Sequence, residues 1–437
     1  MHLPLSTSRT IFRHHSPHRA LQLGLPRIML LILLVGIAPQ ASTAAAPGWR
    51  VGEPVVTYWC GPSMTEATAS QMAAGGFNLV WCTEAELDVA HRHHLRAQLT
   101  HPLLSPESLD TPARRAELDQ LIARVKSHPA LYAYFITDEP NATNFPALGR
   151  ILGHLREHDP AHLAYINLFP TYATNDQLGN HGDVTNAYRA HLSQYVRDVH
   201  PSLLSYDHYQ FSVKGDNDQY FLNLALVRER SLLDHLPFLN IVQAATWTKS
   251  MRIPREDEMR FLVYTTLAYG AEGISYYIYA CAGHEGGIAT LDGTPTSLYL
   301  PLSALNREFV AVARSLQGLR STGVYHAGML PPGAVPPPAD LPLFLEPRPE
   351  SVAHAPGKPV KGVLLGLFAP AGETRDRRAT HAVVVNLDYG SDAVVGIGGR
   401  RKLEVLEPGT GAWRALGGRK AELHLPRGGG ALVRLTR

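Results

Sequence analysis

A (β/α)8 TIM barrel followed by a small C-terminal antiparallel β-sandwich is the fold this α/β sequence predicts, and three observations predict it. Between Pro54 and about Leu319, short apolar runs alternate with amphipathic stretches, the mark of repeated β-α units on a parallel sheet. Eight such pairs fill roughly 270 residues, close to the ~250 usual for a (β/α)8 barrel. The rival open sheet would carry a Gly-rich phosphate loop after its first strand, where this chain has Cys60-Gly-Pro-Ser63.

Strand one is Val55–Trp59, and its helix over residues 65–74 ends at Gly75-Gly76, where a left-handed cap is needed. Strand two (77–81) precedes a helix over 84–94, and strand three (95–99) precedes a helix with Leu118, Leu121, Ile122 and Val125 at helical spacing. Strand four, residues 131–137, is an apolar and aromatic run that stops at Asp138-Glu139-Pro140. Pro140 is expected to keep Glu139 extended, and Asn141 and Asn144 offer caps for a helix whose face is Phe145, Leu148, Ile151, Leu152 and Leu155. Strand five covers 163–170. The polar loop 171–184 that follows has a length typical of functional loops. A helix over 186–200 leads to strand six (202–209), a helix to His235, strand seven (238–247), a helix over 255–269, strand eight (273–279) and a last helix over 303–319.

The predicted boundaries are a signal peptide over 1–46, the barrel over 47–325, a Pro-rich linker or bridging strand over 326–360 and the sandwich over 361–437. The sandwich strands are expected near 362–368, 381–387, 402–406, 421–425 and 431–435, with turns of Gly, Asp and Pro between them. In the first segment Arg9, Arg13, Arg19 and Arg27 precede the apolar run 28–38 and then small residues, a secretory pattern. That run is shorter than the ~20 residues of a membrane span, so export to the periplasm or outside is expected, with no stable membrane span after cleavage. An uncleaved amino-terminal anchor is the alternative. Export permits a disulfide among Cys60, Cys82 and Cys281; pairing Cys60 with Cys82, at the ends of two neighbouring strands, would leave Cys281 free.

Composition narrows the function. The chain is 45% hydrophobic and 18% charged with net charge +2, enough for a large core and without the basic stripe that nucleic acid requires. A barrel gathers its strand ends around one mouth, and these ends carry Tyr58, Trp59, Asp138, Glu139, Asn167, Asp207, His208, Tyr209, Gln243, Trp247 and Tyr277. Aromatic faces stack on sugar rings, amides and acids take up hydroxyls, and paired carboxyls supply an acid and a nucleophile or base. Glu139 suits the acid, because Asp138 and aromatic walls would raise its pKa. Strand alternation sends Asp138 and Glu139 to opposite sides, leaving Glu139 facing the axis. Asp207, two strands away, is the second carboxyl, with Glu285 in reserve; Glu272, on the other rim, reads as structural.

The chain resembles the secreted (β/α)8 glycoside hydrolases of the retaining clan that includes β-galactosidases and cellulases. The resemblance rests on Ala73-Ala-Gly-Gly-Phe-Asn78, Tyr134-Phe-Ile-Thr-Asp-Glu-Pro140, Tyr206-Asp-His-Tyr209 and the stretch from Leu267 to Tyr277. It implies hydrolysis of O-glycosidic bonds in an oligo- or polysaccharide, with an acid/base glutamate at the position of Glu139. The nucleophile of that clan stands at the end of strand seven, where Gln243-Ala-Ala-Thr-Trp247 offers no carboxylate. Asp207 could replace it, the substrate could supply its own nucleophile as an N-acetyl sugar does, or the barrel could bind carbohydrate without cleaving it. His91-Arg-His-His94 reads as a solvated helix end; with no His-Glu-x-x-His, nucleophile elbow or phosphate loop, no metal or cofactor is expected.

Overall fold

The computed structural model describes residues 48–436; the segment read as a signal peptide lies outside them. Eight parallel strands alternate with helices in the first part of the chain. They are β1 (Val55–Trp59), β2 (Leu79–Cys82), β3 (Arg96–Leu99), β4 (Leu131–Asp138), β5 (Leu163–Asn167), β6 (Leu204–His208), β7 (Phe238–Gln243) and β8 (Gly273–Tyr277). The helices are α1 (Glu66–Ala74), α2 (Leu87–Arg92), α3 (Pro112–Val125), α4 (Phe145–His158), α5 (Val184–Val199), α6 (Tyr220–Asp234), α7 (Glu256–Tyr269) and α8 (Tyr299–Leu316).

The strands form two four-stranded sheets, β1-β8-β7-β6 and β2-β3-β4-β5. Backbone and side-chain contacts link them at both seams. Leu168 and Tyr206 make a parallel bridge beyond the end of β5, and the Asn78 N–H donates to Val56 O at 3.0 Å while its side-chain Oδ1 accepts from Val56 N–H at 2.9 Å. Residues near the amino ends of the strands, among them Val55, Leu79, Leu163 and Leu239, pack into one apolar cluster with Tyr132 and Tyr165. The helices cover the outside with their apolar stripes. In α4, Phe145, Leu148, Ile151, Leu152 and Leu155 are all buried at three- and four-residue spacing, each contributing about 1.5–3 kcal/mol on burial.

The stretch expected to be a linker is built into two further sheets. β9 (Leu319–Leu330) runs antiparallel to β11 (Gly362–Pro370), and β10 (Leu343–Leu345) pairs with β13 (Ala393–Gly399). With β12 (His381–Asn386), β14 (Leu403–Glu407), β15 (Ala412–Ala415), β16 (Lys420–Leu425) and β17 (Gly430–Leu435), they make an antiparallel seven-stranded sheet, whose one parallel pairing joins β9 to Val352–Ala353, and a three-stranded sheet β10-β13-β16. Apolar residues of both sheets, Leu343, Leu365, Val384, Ile397, Val405 and Leu423 among them, share one core. Prolines do not prevent this, because they sit in the segments between the strands, from 331 to 342, at 347 and 349, and at 356 and 359. β13 escapes a pattern reading because it is Ala-Val-Val-Gly-Ile-Gly-Gly, and its Gly398 is required: a Cβ there would lie 2.3 Å from the Phe344 ring.

The disulfide differs from the pairing considered above. Cys60 is bonded to Cys281, with Cα atoms 5.8 Å apart, and Cys82 is a buried free thiol. The reason is topological: β1 pairs along its whole length with β8, from Val55 opposite Gly273 to Trp59 opposite Tyr277, so the residues just beyond both strands meet. No helix among the described residues is long and apolar enough to cross a membrane.

Candidate active site

Three carboxyls converge where β4 and β6 end. Asp138 is the last residue of β4, and Asp207 lies in β6 with 1% exposure. Asn167, ending β5 between them, donates through Nδ2 to Asp138 Oδ1 at 3.0 Å and to Asp207 Oδ1 at 2.8 Å. Its amide is oriented from behind, since Ser205 Oγ donates to Asn167 Oδ1 at 3.0 Å and lies 2.7 Å from the Tyr165 hydroxyl.

Glu139 departs from its sequence expectation in two ways. It is left-handed (φ 42°) rather than extended, held by donation from its N–H to Asn167 O at 2.9 Å. It also lies outside the strand, after a register shift between Phe135 and Thr137, so the alternation that would separate it from Asp138 no longer applies. Both acids therefore line the same cavity of about 270 Å³, together with Asp207 and Asn167.

The cavity walls are aromatic. Tyr209, Trp247 and Tyr277 cluster with ring centroids 4.7–4.9 Å apart, Trp59 closes the floor against Trp81 and Phe135, and Phe169 and Tyr172 come from the loop after β5. Gln177 adds an amide from the same loop. None of the lining side chains is a lysine, arginine or histidine.

This surrounding sets the protonation of the acids. Burial, and then the neighbouring Asp138 charge, raises the Glu139 pKa to about 7, against a hydrogen bond with Asp207 that lowers it. Burial, followed by the Glu139 and Asp138 charges, pushes Asp207 well above the carboxylate range. Asp138, at the open rim, is also raised, by burial in the concave mouth, with Asn167 and the Glu139 N–H working the other way. Asp207 Oδ2 is buried and meets no donor among the described residues. Burial and the neighbouring carboxylates act in the same direction on both groups, so Glu139 and Asp207 favour their protonated forms more than a free carboxyl does.

Of the other residues expected at the site, Trp59, Asn167, Tyr209, Trp247 and Tyr277 line the cavity, whereas Tyr58, His208 and Gln243 do not. Period-two alternation explains the first two exceptions. Trp59 and Asp207 face the cavity, so Tyr58 turns outward onto Phe77 and Tyr279, and His208 onto Tyr220 and Asn223. Burial lowers the His208 pKa to about 4, leaving a neutral ring whose Nδ1 donates to Asn223 Oδ1 at 3.0 Å. The Gln243 carboxamide is consumed by the backbone: its Oε1 accepts from Phe211 N–H at 2.8 Å and its Nε2 donates to Phe211 O and Arg252 O. Glu285 is exposed in a two-residue strand opposite Thr246, outside the cavity lining. Phe169, Tyr172 and Gln177 were not singled out in the sequence; the length of loop 171–184 was the available signal for Tyr172 and Gln177, whereas Phe169 fell in the predicted fifth strand, which ends at Asn167.

A cluster of acids with no cation, walled by aromatic rings at the carboxyl ends of parallel strands, has the perturbed acids and the concave shape of a site suited to proton transfer. No protein-family model and no curated protein matches the chain. The solved structures similar to it include glycoside hydrolases at low identity. A β-L-arabinopyranosidase from Geobacillus stearothermophilus is 11% identical over 88% of this chain and 96% of that one, with a TM-score of 0.49. α-Galactosidase I from Mortierella vinacea is 10% identical over 87% and 96%, with a TM-score of 0.45. A β-galactosidase from the psychrophilic Marinomonas ef1 is 12% identical with a TM-score of 0.42; the match covers 60% of this chain and 60% of the length of that enzyme.

Proposed function

We propose that this protein is a glycoside hydrolase acting on an oligo- or polysaccharide, exported from the cell, whose two parallel sheets are the halves of one (β/α)8 barrel backed by a β-sandwich. The observation that carries the reading is the convergence of Glu139, Asp207 and Asp138 in one aromatic-walled cavity without a cation, where burial raises the pKa of Glu139 and Asp207. A glycosidic oxygen needs a proton as it leaves, and a carboxyl with a pKa near 7 is half-protonated at neutral pH. Glu139, the more accessible of the pair, delivers it. Asp207 is the second carboxyl: once substrate enters between the pair and Glu139 has given up its proton, Asp207 is the group able to restore it or to activate water. Asp138, at the rim, adds negative potential where the sugar ring becomes cationic. Trp247, Tyr209 and Tyr277 offer ring faces for stacking.

The contact between Glu139 and Asp207 also favours a second reading. Carboxyls touching each other do not flank a bond from opposite faces, which suits a substrate whose own N-acetyl group attacks. Activity on N-acetylated oligosaccharides that disappears on deacetylation selects this route. The decisive experiment is Glu139→Gln. It is expected to lower kcat by at least ~100-fold while sugar binding, measured by calorimetry, is retained. Unchanged turnover removes Glu139 from the acid role, and no turnover in either form makes the protein a carbohydrate-binding barrel.

A further inference from the structure

Asp119 on α3 and His154 and His158 on α4 bring one ligand atom each to within 4.8 Å of one another. We propose that they form a binding site for a divalent first-row transition metal, Zn²⁺ foremost, clamping the two helices on the outside of the molecule.

The geometry fits. His154 and His158 are one turn apart on the same helix face, with stacked rings 4.1 Å apart. His154 Nε2 is 2.7 Å and His158 Nε2 3.9 Å from Asp119 Oδ1. Ligands on tetrahedral zinc with bonds of ~2.05 Å are separated by about 3.4 Å, and the two distances bracket that value.

One of the two imidazoles is already in the tautomer a metal needs. His158 Nδ1 lies 2.9 Å from the carbonyl of His154, which can only accept, so Nδ1 carries the proton and Nε2 presents its lone pair to the site. Metal-bound imidazoles are fixed in this manner, by a backbone carbonyl on the far nitrogen. His154 Nε2 donates to the Asp119 carboxylate, and a metal would displace that proton to solvent. His158 also stands in the last turn of α4, where the helix dipole favours positive charge. Lys126 Nζ, 3.4 Å from His158 O, is the opposing cation. The His158 and Asp119 side chains are 38% and 40% exposed, leaving a solvent side for water as the fourth ligand. Sequence spacing alone hides the site, because the third ligand comes from another helix.

The test uses the full-length protein stripped with chelator and titrated with zinc chloride by calorimetry. One saturable equivalent is expected, with a proton released and a rise in melting temperature; Co²⁺ in its place is expected to give the intense visible bands of a four-coordinate site. His158→Ala and Asp119→Ala, both at partly exposed positions, are expected to weaken binding by more than the roughly 10–100-fold seen when outer-shell partners are lost. A triple variant of His91, His93 and His94 to alanine is expected to bind as the parent does. Absence of a saturable equivalent, or binding unaltered by His158→Ala and Asp119→Ala, overturns the proposal. These readouts involve no sugar and are independent of the hydrolase reading.

Discussion

Asp207 and Glu258 are the two most deeply buried acids around the strand ends, and their surroundings are opposite. Glu258, at the start of α7, is 0% exposed and meets Arg252 in a two-pronged ion pair of 2.7 and 2.8 Å, while the Arg255 N–H donates to it at 2.8 Å. Burial alone would raise its pKa, but these partners outweigh it and the net direction is down. Asp207 is equally enclosed, and its neighbours are two more carboxyls and a single amide. Burial by itself is therefore neutral as to purpose. A buried acid with a matched cation ties down a loop, here residues 252–255; a buried acid without one holds a proton ready for use.

The largest expected effect tests the structural half of that contrast. Glu258→Ala leaves Arg252 with only the longer contact to Asp216, 3.9 Å, and should cost about 3 kcal/mol, read as a lowered urea midpoint. Because the folded-state pKa of Glu258 is depressed, its contribution is present above the ordinary glutamate range and lost as pH falls through the lower folded value. Asp207→Asn should act with the opposite sign. A folded-state pKa raised above the unfolded one makes the parent lose stability as pH rises from the ordinary carboxylate range toward the raised value. The variant should match the parent near pH 3 and exceed it in stability at pH 7–8. A variant less stable than the parent at pH 8 would break the comparison.

Two smaller effects sharpen it. Asp138 raises the Glu139 pKa, so the basic limb of the pH–rate profile, expected near 7, should move toward acid in Asp138→Asn by up to about one pH unit. The limb staying in place would show that Asp138 does not act on the acid. Trp247→Ala is the mildest. With 36% of its surface exposed, Trp247 should change stability by no more than ~0.5 kcal/mol while raising KM several-fold; an unchanged KM places the sugar elsewhere.

Much of this was legible in the sequence because periodicity reports it. The eight parallel strands follow from apolar runs, and Asp138, Glu139 and Asp207 were visible as acids at strand ends. What could not be read depends on contacts between distant segments. The Cys60–Cys281 pairing needs the knowledge that β1 lies against β8. The joint presence of Asp138 and Glu139 in one cavity depends on the left-handed Glu139 and the shifted register of β4, which no alternation rule anticipates. β10 and β13 were missed for composition, one being three residues long and the other rich in glycine.

The Cys60–Cys281 bond has a mechanical meaning. It joins the residues just past the first and last of the eight strands, 221 positions apart in the chain. A protease cutting any loop between them would nick the molecule without releasing a fragment. Tension applied to the two ends of the chain would cross from Cys60 to Cys281 through sulfur, and every residue that lines the acid cavity except Trp59 would be bypassed by the force.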